Sequence, residues 1–355
     1  MNDSNCFIPA ESIKPEPPLG EQANNVVTAT PKAVSRAAQL LRRGQVIGLP
    51  TETVYGLAGD GLNPAALARI FEIKQRPLFD PLILHFADAN SAFLLAANVP
   101  DTARELARRF WPGPLTLVLP KKDVVPDLAT SGLPTVALRV PVHPVAQAVL
   151  RAFSGPLAAP SANRFGRISP TDAPAVSAEL GAAVPLILDG GPCLVGVEST
   201  VLDLSGEKPV LLRAGGVTIE QLEAVTGPVG RTRAVDERPL APGQLRHHYA
   251  PRKPLRLVRG AEEIPQRADA GRLAFGATPA VFAGVTKNLS PDGDLGEAAA
   301  NFFRLLRALD DDPRVTELYA IRLPSRSLGL AINERLERAA TSSAGGLSAS
   351  AAQPE

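Results

Sequence analysis

The residues best suited to chemistry arrive in one burst, Thr51-Glu52-Thr53-Val54-Tyr55, set between Pro50 and Gly56 and directly after the apolar run Val46-Ile47-Gly48-Leu49. Hydroxyls and carboxylates at the end of a buried strand cost about 1 to 3 kcal/mol each when unpaired, so they need partners, either their own backbone or a ligand. Gly56 removes a side chain where the backbone turns or meets something closely. Cations form the second set: Lys74 and Arg76 leave a predicted helix, Arg139 interrupts an apolar strand and Arg213 ends another. A lone cation is usually surface charge. Arg139 differs, because a guanidinium buried in a strand requires a carboxylate or phosphate, and its planar fork recognises such anions bidentately.

Several chemistries are absent. The chain has no Gly-x4-Gly-Lys-Ser/Thr loop, and Gly56, Gly59 and Gly61 have the wrong spacing for a dinucleotide fingerprint, so a nucleotide would be held by scattered side chains. No Gly-x-Ser-x-Gly elbow surrounds Ser161, which excludes an acyl hydrolase built on it. Four histidines without a His-x3-His pair and two cysteines, Cys6 and Cys193, give no metal site. His85, at a strand end, suits either substrate contact or a satisfied structural role. The 37 bases and 36 acids nearly cancel and aromatics are 5% of the chain, which argues against a nucleic-acid-binding surface.

The elements that must position these groups alternate between strand and helix, an α/β pattern with a mixed sheet. Helices are predicted over 31–43, 63–74, 88–98, 101–110 and 143–153. Strands are predicted over 46–49, 81–86, 115–119, 135–140, 156–160, 186–189, 199–204 and 210–213. Trp111-Pro112-Gly113-Pro114 requires a tight turn. Residues 1–25 read as a disordered leader, 26–231 as the main domain and 232–253 as a linker rich in Arg, Pro and Gly. A smaller α/β domain follows over 254–340, with strands at 255–258, 272–275, 281–283 and 317–321 and helices at 295–309 and 328–340, then a disordered tail, 341–355. No apolar run reaches the roughly 18 residues of a membrane span, and the acidic N-terminus is unlike a signal peptide, so a cytoplasmic protein is expected.

Seven motifs stand in order along the chain: Pro50-Thr-Glu-Thr-Val-Tyr-Gly-Leu57, Lys74-x-Arg76-Pro77, Trp111-Pro-Gly-Pro-Leu-Thr116, Thr135 to Pro141, Pro160-Ser-Ala-Asn163 with Gly166 and Ser169-Pro-Thr171, Glu198-Ser-Thr-Val201, and Leu212-Arg-Ala-Gly215. Together they resemble the YrdC/Sua5 family of threonylcarbamoyl-AMP synthases. The linker, with Pro242-Gly243 and His248-Tyr-Ala-Pro251, and Leu328-Gly-Leu-Ala-Ile-Asn-Glu-Arg-Leu336 resemble the longer Sua5 branch. The resemblance implies a YrdC-like twisted mixed sheet with flanking helices and a Rossmann-like C-terminal domain. It also implies a nucleotidyltransferase that condenses L-threonine, bicarbonate and ATP to threonylcarbamoyl-AMP and pyrophosphate. That product serves N6-threonylcarbamoyladenosine formation at position 37 of tRNA.

Carried over by motif, Lys74 and Arg76 act on the ATP phosphates, with Asp80, Thr135, Ser161, Ser169, Arg213 and Tyr249 completing the nucleotide site. Threonine meets Thr53, His85, Arg139, Ala159, Ser199 and Thr200; Asn163 shapes the Ser161 loop, and Tyr249 makes the linker a lid. Mg2+ accompanies ATP without a dedicated protein site. A downstream tRNA threonylcarbamoyltransferase receives the product; direct tRNA contact is possible but not required. Three positions depart from the family pattern: Asp80 for Asn, Phe165 for a small residue, and Gln244 for Met. The rival readings are a non-catalytic double-stranded RNA-binding, translation-associated module, opposed by charge and aromatic content, and a hydrogenase-maturation carbamoyltransferase, whose cysteine zinc modules are missing.

Overall fold

The computed structural model describes residues 25–231, 239–245, 248–278 and 281–348. The expected leader up to residue 24, residues 232–238 and 246–247 of the linker, and the tail from 349 lie outside the described residues. Eleven strands form the larger sheet: β1 (Val26–Thr28), β2 (Ile47–Leu49), β3 (Gly56–Asp60), β4 (Ile83–His85), β5 (Leu115–Pro120), β6 (Thr135–Arg139), β7 (Leu157–Ala158), β8 (Ile187–Asp189), β9 (Thr200–Asp203), β10 (Val210–Arg213) and β11 (Gly230–Arg231). Their order is β1-β8-β2-β3-β7-β4-β6-β5-β9-β10-β11, with parallel and antiparallel pairs mixed. Eight helices accompany them: α1 (Pro31–Arg42), α2 (Pro64–Lys74), α3 (Ala89–Phe93), α4 (Asp101–Phe110), α5 (Asp127–Thr130), α6 (Pro144–Phe153), α7 (Ala173–Leu180) and α8 (Ile219–Thr226).

Local chemistry explains the ends that matter. Asn63 accepts from the backbone of Ala65 and Ala66, and Pro64 occupies the first turn, so α2 starts where a cap and a preset φ coincide. It stops at Lys74 because Gln75 turns left-handed at φ 53°, and the Arg76 amide closes the end on Phe71 O, 2.9 Å away. Trp111-Pro112 is cis, and the turn's Gly113 amide donates to Val140 O at 2.7 Å, tying it to the end of β6.

The C-terminal domain has four parallel strands in the order β12 (Leu255–Val258), β15 (Glu317–Ile321), β13 (Ala270–Ala274), β14 (Val285–Asn288). Helices α9 (Leu295–Asp311) and α10 (Leu328–Ser348) pack it against the larger domain. One apolar core runs through both, joining Leu115, Tyr249, Phe302, Phe303 and Ile332. Arg307 crosses the boundary to Glu179 at 2.8 Å and to Ile168 O at 2.7 Å.

Several sequence expectations need correction. Strands β1, β3 and β11 and helices α5, α7 and α8 were not expected; Gly56 begins β3, and of its two expected uses, a turn or a close approach, it serves the second, since a Cβ there would lie 3.0 Å from Ala159 Cβ across the sheet. The helix expected over 88–98 is only α3, and the strand expected over 281–283 lies at β14, while Phe282 covers the Arg272 guanidinium at 4.5 Å. Asn25 is no part of a loose leader, since its Nδ2 donates to Gly181 O and Val184 O. Helix α10 continues past residue 340 into the expected tail; Thr341 and Ser342 return their hydroxyls to Glu337 O and Arg338 O instead of competing with the helix.

Candidate active site

The burst after β2 partly satisfies itself. Thr51 Oγ1 donates to Val54 O at 2.6 Å, accepts from the Thr53 and Val54 amides, and meets Thr53 Oγ1 at 2.9 Å. Thr53 Oγ1 also accepts from Arg139 Nη2 at 3.0 Å. The carboxylate that Arg139 requires is Glu52, at 2.6 Å, with both side chains 5% exposed; the second Glu52 oxygen takes the Val142 amide. The pair links the loop after β2 to the end of β6, and Arg139 Nε reaches Gly113 O in the Trp-Pro-Gly-Pro turn at 3.3 Å. Sequence reading assigned Glu52 no role, although it lies inside the motif.

Strands β4 and β6 run parallel with His85 opposite Arg139, so both side chains stand on one face of the sheet. Burial, then the Arg139 charge, lowers the His85 pKa to about 3, so the ring is neutral; Nδ1 lies 3.1 Å from Ile83 O. Across this face stands Arg213 at the end of β10. It holds Ser199 O through Nε (3.1 Å) and Nη2 (2.9 Å) and Ser199 Oγ at 3.1 Å, and its Nη1 reaches Pro242 O of the linker at 3.1 Å. Arg76 is fixed by Asp80 O and Pro81 O.

The Ser161 loop is fastened from below. Lys74 Nζ donates to Ser161 O at 2.5 Å and Asn163 O at 2.6 Å, and Asn163 Nδ2 spans to Arg164 O and Arg167 O. Burial, reinforced by Arg76, pushes the Lys74 pKa well below its usual value.

From above comes the linker. Gln244, fully buried where the family pattern has Met, accepts the Leu240 and Ala241 amides and so folds the turn on itself. Ala241 packs among Ile83, Val118, Ala137, Val201 and Leu212 on the sheet face. Tyr249 is fully buried at φ 65°, with its ring centroid 5.6 Å from that of Phe303 and 4.1 Å from that of His248. Phe165, the second departure from the pattern, meets His248 edge-on at 5.8 Å, and the Ala250 amide donates to Gly166 O at 2.7 Å, so the Ser161 loop is the lid's seat.

Nine expected residues, Thr53, Arg76, His85, Arg139, Ala159, Ser161, Ser199, Arg213 and Tyr249, line one cavity. Its free volume of about 40 Å³ holds only a few waters, so this is a closed form that must open to admit a nucleotide or an amino acid. Besides the loop-shaping Asn163, five residues expected to contact a ligand lie outside the lining. Lys74 is spent on loop carbonyls. Asp80, the third departure, faces Arg76 at 2.9 Å without an aligned N–H, and burial raises its pKa against the pull of Arg76 and Lys74. Thr135 stands on the Arg139 face but four residues along β6, beyond Ala137, where the lid's Ala241 packs. Ser169 Oγ donates to Glu198 Oε1 at 2.6 Å, and Thr200 Oγ1 turns away to the Val217 backbone. Conversely, Glu198 and His248 line the cavity and were not expected there as ligand contacts. A roomier groove of about 460 Å³ between Phe86 and Pro156 offers less chemistry: Asp88 caps α3 and Arg151 is bonded to Gln147. Among the described residues no cluster of three or more His, Cys, Asp or Glu could hold a metal ion, and no helix is long and apolar enough to cross a membrane.

A mixed sheet whose face carries converging guanidinium and hydroxyl groups beneath a linker segment has the character of an α/β enzyme for anionic substrates. The family models agree: one described as "Telomere recombination" (Sua5_yciO_yrdC) matches residues 39–215, and "Threonylcarbamoyl-AMP synthase, C-terminal domain" matches 217–341. The threonylcarbamoyl-AMP synthase of Bacillus subtilis is 42% identical over 321 residues, 86% of this chain and 92% of that one. The Pyrococcus abyssi enzyme of the same name is 41% identical over 315 residues, 85% and 92% of the two chains. Among solved structures, P. abyssi Sua5 complexed with L-threonine superposes with a TM-score of 0.82 at 36% identity, covering 90% of this chain and 97% of that one. This chain belongs to the Sua5/YrdC family of threonylcarbamoyl-AMP synthases, which favours the enzyme over the RNA-binding alternative.

Proposed function

We propose that this cavity is where the chain condenses L-threonine, bicarbonate and ATP into L-threonylcarbamoyl-AMP and pyrophosphate. The carrying observation is that Thr53, Arg76, Arg139, Ser161 and Arg213, drawn from five separate segments, converge on one cavity. The threonine amine adds to CO2 derived from bicarbonate, giving a carbamate and releasing a proton. A carbamate oxygen then attacks the α-phosphorus of ATP, and the bond to the bridging oxygen breaks to release pyrophosphate. No protein nucleophile is required. Rate comes from holding two anions in line and from fixed positive charge in a water-poor site.

Arg139, with Thr53 beside it, receives the threonine carboxylate; Glu52 keeps the planar guanidinium oriented. Neutral His85 adds no charge there, so it suits contact with the threonine amine or hydroxyl. Arg76 and Arg213 face the phosphates, Ser161 holds the nucleotide at the loop tip, and Tyr249 closes over it. Lys74 acts through the loop it ties down, and Thr135 and Asp80 enter the nucleotide site only once the lid has moved. Mg2+ enters as part of the ATP substrate. A tRNA threonylcarbamoyltransferase consumes the adenylate, in the cytoplasm. Incubation with ATP, threonine and labelled bicarbonate tests the reading: pyrophosphate and labelled adenylate must appear together, and only with all three present. Pyrophosphate formed without threonine would refute it.

A further inference from the structure

We propose that Arg335, carried by α10 of the C-terminal domain, is a positioning residue of the active site: it fixes Glu198 and Tyr249 and so makes nucleotide binding depend on docking of that domain. The inference rests on the synthase reading for the identity of the nucleotide. The Arg335 side chain is 1% exposed. Its Nε donates to Glu198 Oε2 at 2.7 Å, and Nη1 donates to Ala214 O and Ala331 O, both at 2.9 Å. The same guanidinium lies 5.5 Å from the centroid of the Tyr249 ring.

Glu198 is no ordinary anchor. It lines the cavity, its other oxygen takes the Ser169 hydroxyl, and the next residue, Ser199, supplies the carbonyl and hydroxyl that hold Arg213. This wall is compressed from both sides. A Cβ on Gly215 would lie 2.3 Å from Glu198 O, and one on Gly196, at φ 74°, would lie 2.3 Å from Ala299 O in α9. The Ala214 amide donates to Glu334 on the same turn of α10 as Arg335. The smaller domain therefore grips the wall of the cavity, and one arginine touches both that wall and the lid's tyrosine.

Domain adhesion alone does not call for this arrangement, because a buried ion pair is matched or bettered by apolar residues of similar volume. Nor does Nη2 find a partner in the closed form. A guanidinium with one unused edge, placed behind the cavity wall, serves orientation better than cohesion.

The test compares wild type, R335M, R335A, R335K and E198Q by calorimetric titration with ATP–Mg2+ and with L-threonine, by steady-state kinetics, and by thermal melting. R335M is expected to weaken ATP binding about tenfold or more, the scale of one lost charge-assisted hydrogen bond, and to leave threonine affinity within about twofold. E198Q should do the same, R335K should fall between, and millimolar guanidinium ion should restore part of the ATP affinity of R335A. Wild-type ATP affinity in R335M overturns the proposal. Equal losses for both ligands without rescue by guanidinium also overturn it, since they signify domain loosening. Wild-type protein that binds ATP yet makes no pyrophosphate sinks the synthase reading and leaves the positioning role to be judged by affinity alone.

Discussion

Gly243 is the point at which the lid can be disabled without touching a reacting group. It sits at φ 84°, where an L-residue pays about 1 to 2 kcal/mol of backbone strain. In the closed form its missing Cβ would also stand 2.9 Å from Tyr249 Oη and 3.1 Å from Arg213 Cδ. Both neighbours are buried, with Arg213 held by Ser199 and Pro242, so neither can retreat without loosening the wall. An open lid need not keep this torsion, so G243A penalises closure selectively. About 1 to 2 kcal/mol corresponds to a roughly 5- to 30-fold smaller closed population. Pyrophosphate release at saturating threonine and bicarbonate is the assay, with kcat/KM for ATP expected to fall by that factor and the unfolding midpoint nearly unchanged. G243A with wild-type kcat/KM would show that closure in this conformation plays no part in turnover.

Four further outcomes follow from the same contacts. R139A and R76A should each abolish product formation while the chain stays folded, read by adenylate formation beside a circular-dichroism melt. E52A strands a buried guanidinium and should cost about 3 to 5 kcal/mol in denaturant unfolding, and R139M/E52L should recover much of that loss without recovering activity. K74M removes the tie beneath Ser161, so it should lower activity while ATP–Mg2+ saturation still occurs; a protein unable to bind ATP at all would instead make Lys74 a direct phosphate ligand. Burial alone would raise the Glu198 pKa, but Arg335, Arg213 and the Ser169 and Arg335 hydrogen bonds outweigh it and bring it to about 2. A carboxyl with a depressed folded pKa stabilises above its unfolded value and loses that contribution as pH falls from about 4.5 toward 2, some 3 kcal/mol in order of magnitude. E198Q should flatten this part of the acid-unfolding profile.

What the sequence disclosed, and what it hid, follows from the range of each interaction. Caps, prolines and apolar periodicity act within a few residues, so the start of α2 at Asn63-Pro64 and the span of β15 were readable. Strand β3 was not, because Gly-Leu-Ala-Gly-Asp has little intrinsic preference and is held by neighbours 10 and 100 residues away in β2 and β7. The same division runs through the site. Arg139 announced a buried cation by interrupting a strand, yet its partner Glu52 lies 87 residues away and carries no local sign of the pairing.

Lys74 shows the converse: read as one of two cations at a helix exit and expected on the ATP phosphates, it is buried with its ammonium on the Ser161 and Asn163 carbonyls. The left-handed turn at Gln75 separates the courses of Lys74 and Arg76: one passes beneath the Ser161 loop and the other enters the cavity. Motif spacing cannot distinguish a ligand contact from the contact that supports it. The atoms each one holds do: Lys74 spends two of its three N–H bonds on loop carbonyls, and Arg335 donates to the Glu198 carboxylate 137 residues away. A synthase that must align two anions for in-line attack needs both kinds of residue, and the supporting kind can come from another domain because its work is done through the wall.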